Sequence, residues 1–367
     1  MSRILYVAYP LLQVHDESAG GAEQVLWTLE REMARSGAHT TVAASAGSRV
    51  SGELFSTGQP CTQLDDYERR RVEHENRVID FVRRSAREGK AFDLIHDHSC
   101  SFWSRAAEVD VPVLTTLHLP RSFYPADSFD DVPANVSFNC VSDSQARTFA
   151  GLHALAGVVP NGIALDCFAD SDDADGTSGI RSRQGLLWLG RICEEKAPHL
   201  AMDIAERAGM SITLAGQVYP FSYHQKYFET EIEPRLRTIP NARFISALSA
   251  ELKRRLLRES QALLITSVAE ETSSLVAMEA AASGTPVVAF RKGALAEVVQ
   301  DGATGFLVED SEQAVTALRN IVNITPKACL HYAQENFSAV KMAERYSHLY
   351  QRFAGLEQFI PFAAETA

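Results

Sequence analysis

The sequence predicts an α/β protein built as two doubly wound domains in succession. Short apolar, β-branched runs alternate with segments of helical period along nearly the whole chain. Those runs are almost continuously apolar, the pattern of parallel strands covered by helices on both faces. The alternation stops over residues 169–184 and then starts afresh. A length of 367 residues gives each half enough chain for its own core.

In the first half, strands are expected at 4–8, 40–44, 93–96, 111–117, 136–141 and 157–159, with helices at 22–36, 66–88, 101–108 and 144–151. Residues 169–184 are small, acidic and turn-forming, which predicts an interdomain linker. In the second half, strands are expected at 185–189, 211–215, 243–245, 262–266, 286–290 and 305–308. The helices between and after them fall at 195–208, 249–259, 274–282, 293–299 and 312–322. The tail from Lys327 has a helical pattern and needs a surface on which to dock. The expected division is therefore 1–168, the linker 169–184, 185–340, and helices over 341–367 that cross back to the first domain.

Thirty-five Lys and Arg against 47 Asp and Glu leave a net charge of −12. That balance argues against a general nucleic-acid binder, since no broad face offsets phosphate charge, but it leaves room for a small basic pocket for one anion. Cys61, Cys100, Cys140, Cys167, Cys193 and Cys329 lie far apart, without a CxxC pair or zinc spacing. They read as free thiols of a reducing, cytoplasmic compartment. The apolar run at 4–8 is too short for a signal sequence and reads as a first strand. No stretch approaches the roughly 18 apolar residues of a membrane span.

Three stretches can carry chemistry. Gly20-Gly21-Ala22-Glu23 opens a helix after the first strand's loop, where paired glycines let backbone N–H groups approach an anion; a tight turn before a helix is the equal alternative. Gly190, Arg191 and Lys196 follow the strand at 185–189, placing two cations where open α/β sheets bind ligands. They could neutralise a diphosphate, or form a surface cluster with Glu194 and Glu195. The third stretch, 266–282, joins a strand to a helix that Thr272, Ser273 or Ser274 can cap. Glu271 precedes that helix and Glu279 lies inside it among Val276, Ala277, Ala280 and Ala281, surroundings in which a carboxylate needs a partner. Two DxD triplets at 170–172 and 173–175 could bind a divalent cation, but no strand presents them and a solvated hinge is preferred.

Together these pieces resemble glycosyltransferase family 4. GGAE at 20–23, TTLH ending at His118, VVPNGI at 158–163, GRICEEK at 190–196, the Glu271/Glu279 pair with SGTPVVAF at 283–290, and GALAEVVQDGATGFLV at 293–308 occur in the family's order. The resemblance implies a GT-B fold, two Rossmann-like domains facing a central cleft, with the acceptor side on the first and the donor on the second. It implies a retaining transfer of a hexose-type sugar from a nucleoside-diphosphate sugar, UDP being the commonest in the family, to a hydroxyl acceptor. The donor is a co-substrate, and no metal or resident cofactor is expected.

Carried over by residue, the resemblance implies that Gly20 and Gly21 approach the donor with backbone and that His118 contacts the transferred sugar. Arg191 and Lys196, after Gly190, would hold the diphosphate. Glu271 would bind sugar hydroxyls beside the N–H groups of Ser273, Ser274, Leu275 and Val276. Glu279 would hold the ribose, while Gly216 and Ile245 to Leu248 would border the base. Two departures stand out: Thr272-Ser273-Ser274 replaces the family's Gly-Phe-Gly or Pro-Phe-Gly, and Ala164 replaces an Asp after Asn161-Gly162-Ile163. The first bears on the identity of the sugar.

On the acceptor side the distinctive residues are Asp16, His96-Asp97-His98, Arg121 and the loop 122–133, read as acceptor contacts. The Arg-rich segment 66–88 has interleaved acids and reads as a salt-bridged, solvated helix. Two rivals remain: a nucleotide-sugar 2-epimerase on the same fold, and a non-catalytic protein that binds a nucleotide sugar.

Overall fold

A computed structural model describes residues 2–61, 64–168, 183–219, 221–246 and 248–355. The chain divides into two compact units, Met1–Gly162 with Ala339–Ala367, and Ile163–Ser338. In the first, strands β1 (Arg3–Val7), β2 (His39–Ala44), β3 (Glu53–Ser56), β4 (Leu94–Asp97), β5 (Val113–Leu117), β6 (Val136–Cys140) and β7 (Leu155–Val158) form a parallel sheet. Their order is β3-β2-β1-β4-β5-β6-β7. Helices α1 (Gly21–Arg35), α2 (Tyr67–Arg87) and α3 (Asp143–Thr148) connect them. Strand β3 was not expected. It is an edge strand of four residues, mostly exposed, so it lacks the continuous apolar run of a central strand. Phe102–Glu108 is a 3-10 segment, not the expected α-helix; Asp97 accepts the Trp103 and Ser99 N–H groups at its start and holds the turns tight.

The second unit holds β8 (Leu186–Leu189), β9 (Ile212–Ala215), β10 (Ala242–Ile245), β11 (Ala262–Ile265), β12 (Val287–Phe290) and β13 (Gly305–Val308). They are parallel, in the order β10-β9-β8-β11-β12-β13. Its helices are α4 (Pro198–Ala208), α5 (Ser222–Tyr227), α6 (Glu233–Thr238), α7 (Ala250–Glu259), α8 (Leu275–Ala282), α9 (Leu295–Val298), α10 (Ser311–Asn320) and α11 (Pro326–Asn336). Helix 195–208 was expected to begin before it does. Proline at 198 disfavours helical backbone in the residue before it, and Ala197 adopts a left-handed φ of 45°. Residues 190–197 are therefore a connecting segment that holds one 3-10 turn, Glu194–Lys196, ahead of α4. The α5–α6 region, joined by a π-turn at Phe228–Ile232, was missed because Pro234 and its acids obscure the helical period.

The unit boundaries also correct the expected division. Ile163 N–H donates to the Phe337 carbonyl at 2.8 Å, and Leu165 and Phe168 pack on the second core, so 163–168 belong to the second unit. Residues 169–182 of the linker, both DxD triplets and the tail 356–367 lie outside the described residues. Helix α12 (Ala339–Ala354) returns to the first unit and buries Met342, Ala343, Tyr346, Ser347, Leu349 and Tyr350, a stripe of helical spacing. The buried phenols keep partners: Tyr346 with Thr116 and Asn139 at 3.0 and 3.1 Å, Tyr350 with His96 at 2.6 Å. Each such bond contributes about 0.5–1.5 kcal/mol and spares a larger desolvation cost. On α2, Arg69, Arg70 and Arg71 pair with Asp66, Glu68, Glu73 and Glu75, as the interleaved charges predict. No helix among the described residues is long and apolar enough to cross a membrane.

Candidate functional site

In the second sheet the strand order reverses between β8 and β11, the point where open α/β sheets take ligands at their carboxyl ends. Five of the expected donor-side residues follow these strand ends: Gly190, Arg191 and Lys196 after β8, Gly216 after β9, and Glu271 after β11. Gly216 N–H donates to the Ile245 carbonyl at 3.0 Å and Gly190 N–H to the Ala215 carbonyl at 3.1 Å, so three strand ends are tied side by side. Gly216 has φ +153°, and a Cβ there would stand 1.8 Å from the Gly190 carbonyl oxygen. Only glycine allows that approach. Ile245 and Leu248 are half-buried against the core; Ala247 between them lies outside the described residues.

The structure joins Lys196 and Glu271, which the sequence places 75 residues apart. Lys196 Nζ donates to both carboxylate oxygens, at 2.5 and 2.7 Å, and Ser267 Oγ donates to Oε1. Backbone fixes the pair as well. Thr266 Oγ1 donates to the Ala197 carbonyl at 2.8 Å, Val268 N–H to the Glu195 carbonyl at 2.9 Å, and Ala294 N–H to the Glu271 carbonyl at 2.7 Å. Arg191 lies with its guanidinium 5.7 Å from the Tyr219 ring centroid. Burial works against its charge, yet Cys193, Tyr219 and Glu195 around it hold its pKa above the ordinary value.

Of the three hydroxyls that could cap the next helix, Ser274 does so, its Oγ accepting the Ala277 N–H at 3.4 Å. Leu275 and Val276 form the first turn of α8, where N–H groups have no partner inside the helix. Ser273 Oγ is buried without a hydrogen-bond partner. Glu279 is 4% exposed and its carboxylate accepts from Lys253 Nζ on α7 at 2.5 Å. Lys253, not foreseen, had a legible signal: it shares a helix face with buried Leu256 and Leu257, where a cation needs an acid. Ser267 and Tyr219 had none, because their partners are set by strand order.

Gly20, Gly21 and His118 belong to the first unit. Gly20 caps α1 and Gly21 begins it. Glu23, in the first turn, is buried, and burial pushes its carboxyl up to about 7. His118 follows β5, its Nε2 3.0 Å from His98 Nδ1, whose Nε2 is 3.3 Å from His96 Nδ1. Burial lowers all three imidazoles, His118 to about 4. The reading of His96 and Asp97 as acceptor contacts is corrected. Both are fully buried, His96 between Thr116 and Tyr350, and Asp97 accepting from Ser99, Trp103 and Thr115. Arg121 donates to the carbonyls of Tyr124, Pro125 and Ala126 and clamps its own loop.

These titrations set a pH dependence. Burial also lowers His74 to about 4, so four histidines of this unit stay neutral when folded but take protons below pH 6.5 when unfolded. Stability from them is full above that value and is lost as pH falls toward 4. Glu23, at about 7, and Asp97, raised by burial to about 6, run the other way, binding protons first in the folded state. Four against two, the net expectation is lower stability at pH 5 than at pH 7. Urea midpoints at the two values check it, and a higher midpoint at pH 5 would contradict the buried neutral histidines.

Among the described residues, Cys193, Glu195 and His224 bring one donor atom each within 4.8 Å of one another, close enough to hold a metal ion.

Two family models match the chain: Glycosyltransferase Family 4 over residues 19–166 and Glycosyl transferases group 1 over 183–323. The D-inositol 3-phosphate glycosyltransferase of Streptomyces scabiei is 27% identical over 62% of this chain and 58% of its own length. The protein of that name from a Nocardioides species is 32% identical over 45% and 40%. The matches thus span between 35% and 60% of the length of these curated relatives. Among solved structures, a sucrose-phosphate synthase from Thermosynechococcus elongatus has a TM-score of 0.76 at 18% identity, covering 97% of this chain and all of that one. The Anabaena protein HepE in complex with UDP and glucose gives 0.74 at 16% identity, over 96% and 100%. AviGT4, a glycosyltransferase involved in avilamycin A biosynthesis, gives 0.72 at 21%, over 97% and 99%. These likenesses show a GT-B fold of two Rossmann-like domains.

Proposed function

We propose, on the premise that this chain belongs to glycosyltransferase family 4, that it moves a hexose-type sugar from a nucleoside-diphosphate sugar to a hydroxyl acceptor, with retention at the anomeric carbon. One observation carries the reading. At the carboxyl ends of β8 and β11, a lysine, a carboxylate it orients and the first turn of α8 occupy one locality. Lys196 and Arg191 would neutralise the departing diphosphate, together with the N–H groups that open α8. Glu271, held by Lys196 and Ser267, would accept hydrogen bonds from sugar hydroxyls. No carboxylate is assigned as an enzymic nucleophile, so the acceptor oxygen attacks on the face the diphosphate leaves, through an oxocarbenium-like transition state. UDP is the preferred nucleotide, supported by its presence in the Anabaena structure. Gly20, Gly21 and His118 keep the roles that the family resemblance implies.

The reading is tested by incubating the protein with nucleotide sugars, with and without a panel of hydroxyl acceptors. Acceptor-dependent release of nucleoside diphosphate is the expected result. Turnover without acceptor to an epimeric nucleotide sugar would establish the isomerase instead, and binding with neither release nor hydrolysis a non-catalytic protein.

Glu279 supplies a further test. If its carboxylate accepts ribose hydroxyls, Glu279→Gln weakens nucleoside diphosphate binding by about 1–3 kcal/mol, the range for charge-assisted bonds. The Gln side-chain oxygen can still accept from Lys253 Nζ, so the melting temperature changes little. A large drop in melting temperature at unchanged nucleotide affinity would make Glu279 a structural residue, partner of Lys253 alone.

A further inference from the structure

We infer that Cys193, Glu195 and His224 form a zinc site that ties the loop 190–197 to helix α5. One ligand atom from each lies within 4.8 Å of the others. His224 is fully buried, and neither of its ring nitrogens has a hydrogen-bond partner. Glu195 Oε2, also buried, has none either. A buried imidazole normally satisfies at least one nitrogen, so unmet nitrogen and carboxylate atoms converging on a cysteine sulfur point to a cation between them.

The donor set selects the cation. Thiolate and imidazole are poor ligands for Mg²⁺ or Ca²⁺ and good ones for Zn²⁺, which accepts sulfur, nitrogen and carboxylate oxygen together in a tetrahedron. Binding converts the Cys193 thiol to a thiolate, its proton passing to solvent. Thiolate and carboxylate then balance the two charges of the metal. Arg191, which otherwise faces these groups, keeps its own charge for a diphosphate. The ligands are held before the metal arrives. Ile192 N–H donates to the Gln217 carbonyl at 3.0 Å, and Ala197 N–H to the Cys193 carbonyl at 3.1 Å. Tyr219, Phe221 and Tyr223 lie round the His224 ring, with centroids 6.0, 5.3 and 4.2 Å away, and fix its orientation, while a water would complete the tetrahedron. Cysteine spacing gives no hint of the site, because the third ligand comes 29 positions after the second, across β9. The metal anchors the loop and takes no part in neutralising the leaving group.

The site does not depend on the transferase reading, since it is read without donor. Tag-free protein dialysed against chelator is titrated with Zn²⁺ alone, and separately with Co²⁺. Expected are one equivalent of zinc per chain, a higher melting temperature on adding it, and a thiolate-to-cobalt charge-transfer band. Cys193→Ser should abolish the band and His224→Ala should weaken zinc binding at least tenfold, with circular dichroism unchanged. Parent protein that binds no stoichiometric zinc and shows no band overturns the site whether or not the variants fold. So does a band that survives in Cys193→Ser, which would place the metal on another cysteine.

Discussion

Replacing Lys196 by Ala is expected to lower kcat by about 10²- to 10³-fold, the usual cost of removing one donor aimed at developing charge, while donor affinity falls by less than about tenfold. The ammonium has three donors, and two are engaged by Glu271 at 2.5 and 2.7 Å. The third is left for a phosphate oxygen. In the bound donor that oxygen shares charge it already carries. As the glycosidic bond breaks, the diphosphate gains a further negative charge, and the lysine interacts more strongly with the transition state than with the ground state. Such an interaction appears in kcat. Arg191→Lys keeps the charge but loses the planar fork and should fall between the parent and Lys196→Ala. If these two cations do the work, transfer runs without added Mg²⁺ or Mn²⁺ at close to the rate with it. An absolute Mg²⁺ requirement, with Lys196→Ala nearly as active as the parent, would refute this account. It would return attention to the acidic triplets at 170–175.

What the sequence revealed and what it hid follow one physical division. Central strands such as β1, β5 and β11 are buried on both faces, and their apolar runs mark them without any knowledge of neighbours. The edge strand β3 has one sheet neighbour and little burial, so it leaves almost no trace. The helix expected from Glu195 shows the limit of periodicity, because Pro198 decides the start and leaves Lys196 in a short 3-10 turn ahead of it. Motif residues Arg191, Lys196, Glu271 and Glu279 were recognisable one by one. Their partners Ser267, Tyr219 and Lys253 were not, since strand order and helix packing choose them. His96 and Asp97 misled for the opposite reason. Polar residues at a strand end look functional, and only the return of α12 with Tyr350 and the tight 3-10 turn show why a core would hold them.

Gly216→Ala is expected to cost at least about 3 kcal/mol of stability, more than most single substitutions outside a core cavity. Its Cβ would lie 1.8 Å from the Gly190 carbonyl oxygen and 2.8 Å from the carbonyl carbon, and backbone cannot rotate away as a side chain can. Its φ of +153° adds strain that an L-residue cannot relieve. Gly209, the C-cap of α4, separates the two contributions. It has φ +67° and open space where a Cβ would go, so Gly209→Ala should cost only about 1–2 kcal/mol, from backbone conformation alone. The excess at Gly216 is then the collision with Gly190. Relief requires the ends of β8 and β9 to part, and Gly190 leads directly into Arg191. Nucleoside diphosphate binding should therefore weaken at least tenfold in Gly216→Ala and stay at the parental value in Gly209→Ala. Urea unfolding and calorimetric titration of both variants measure the two effects. Equal, small costs at the two glycines would mean that the strand ends yield freely and that the close approach of Gly190 and Gly216 does not build the site.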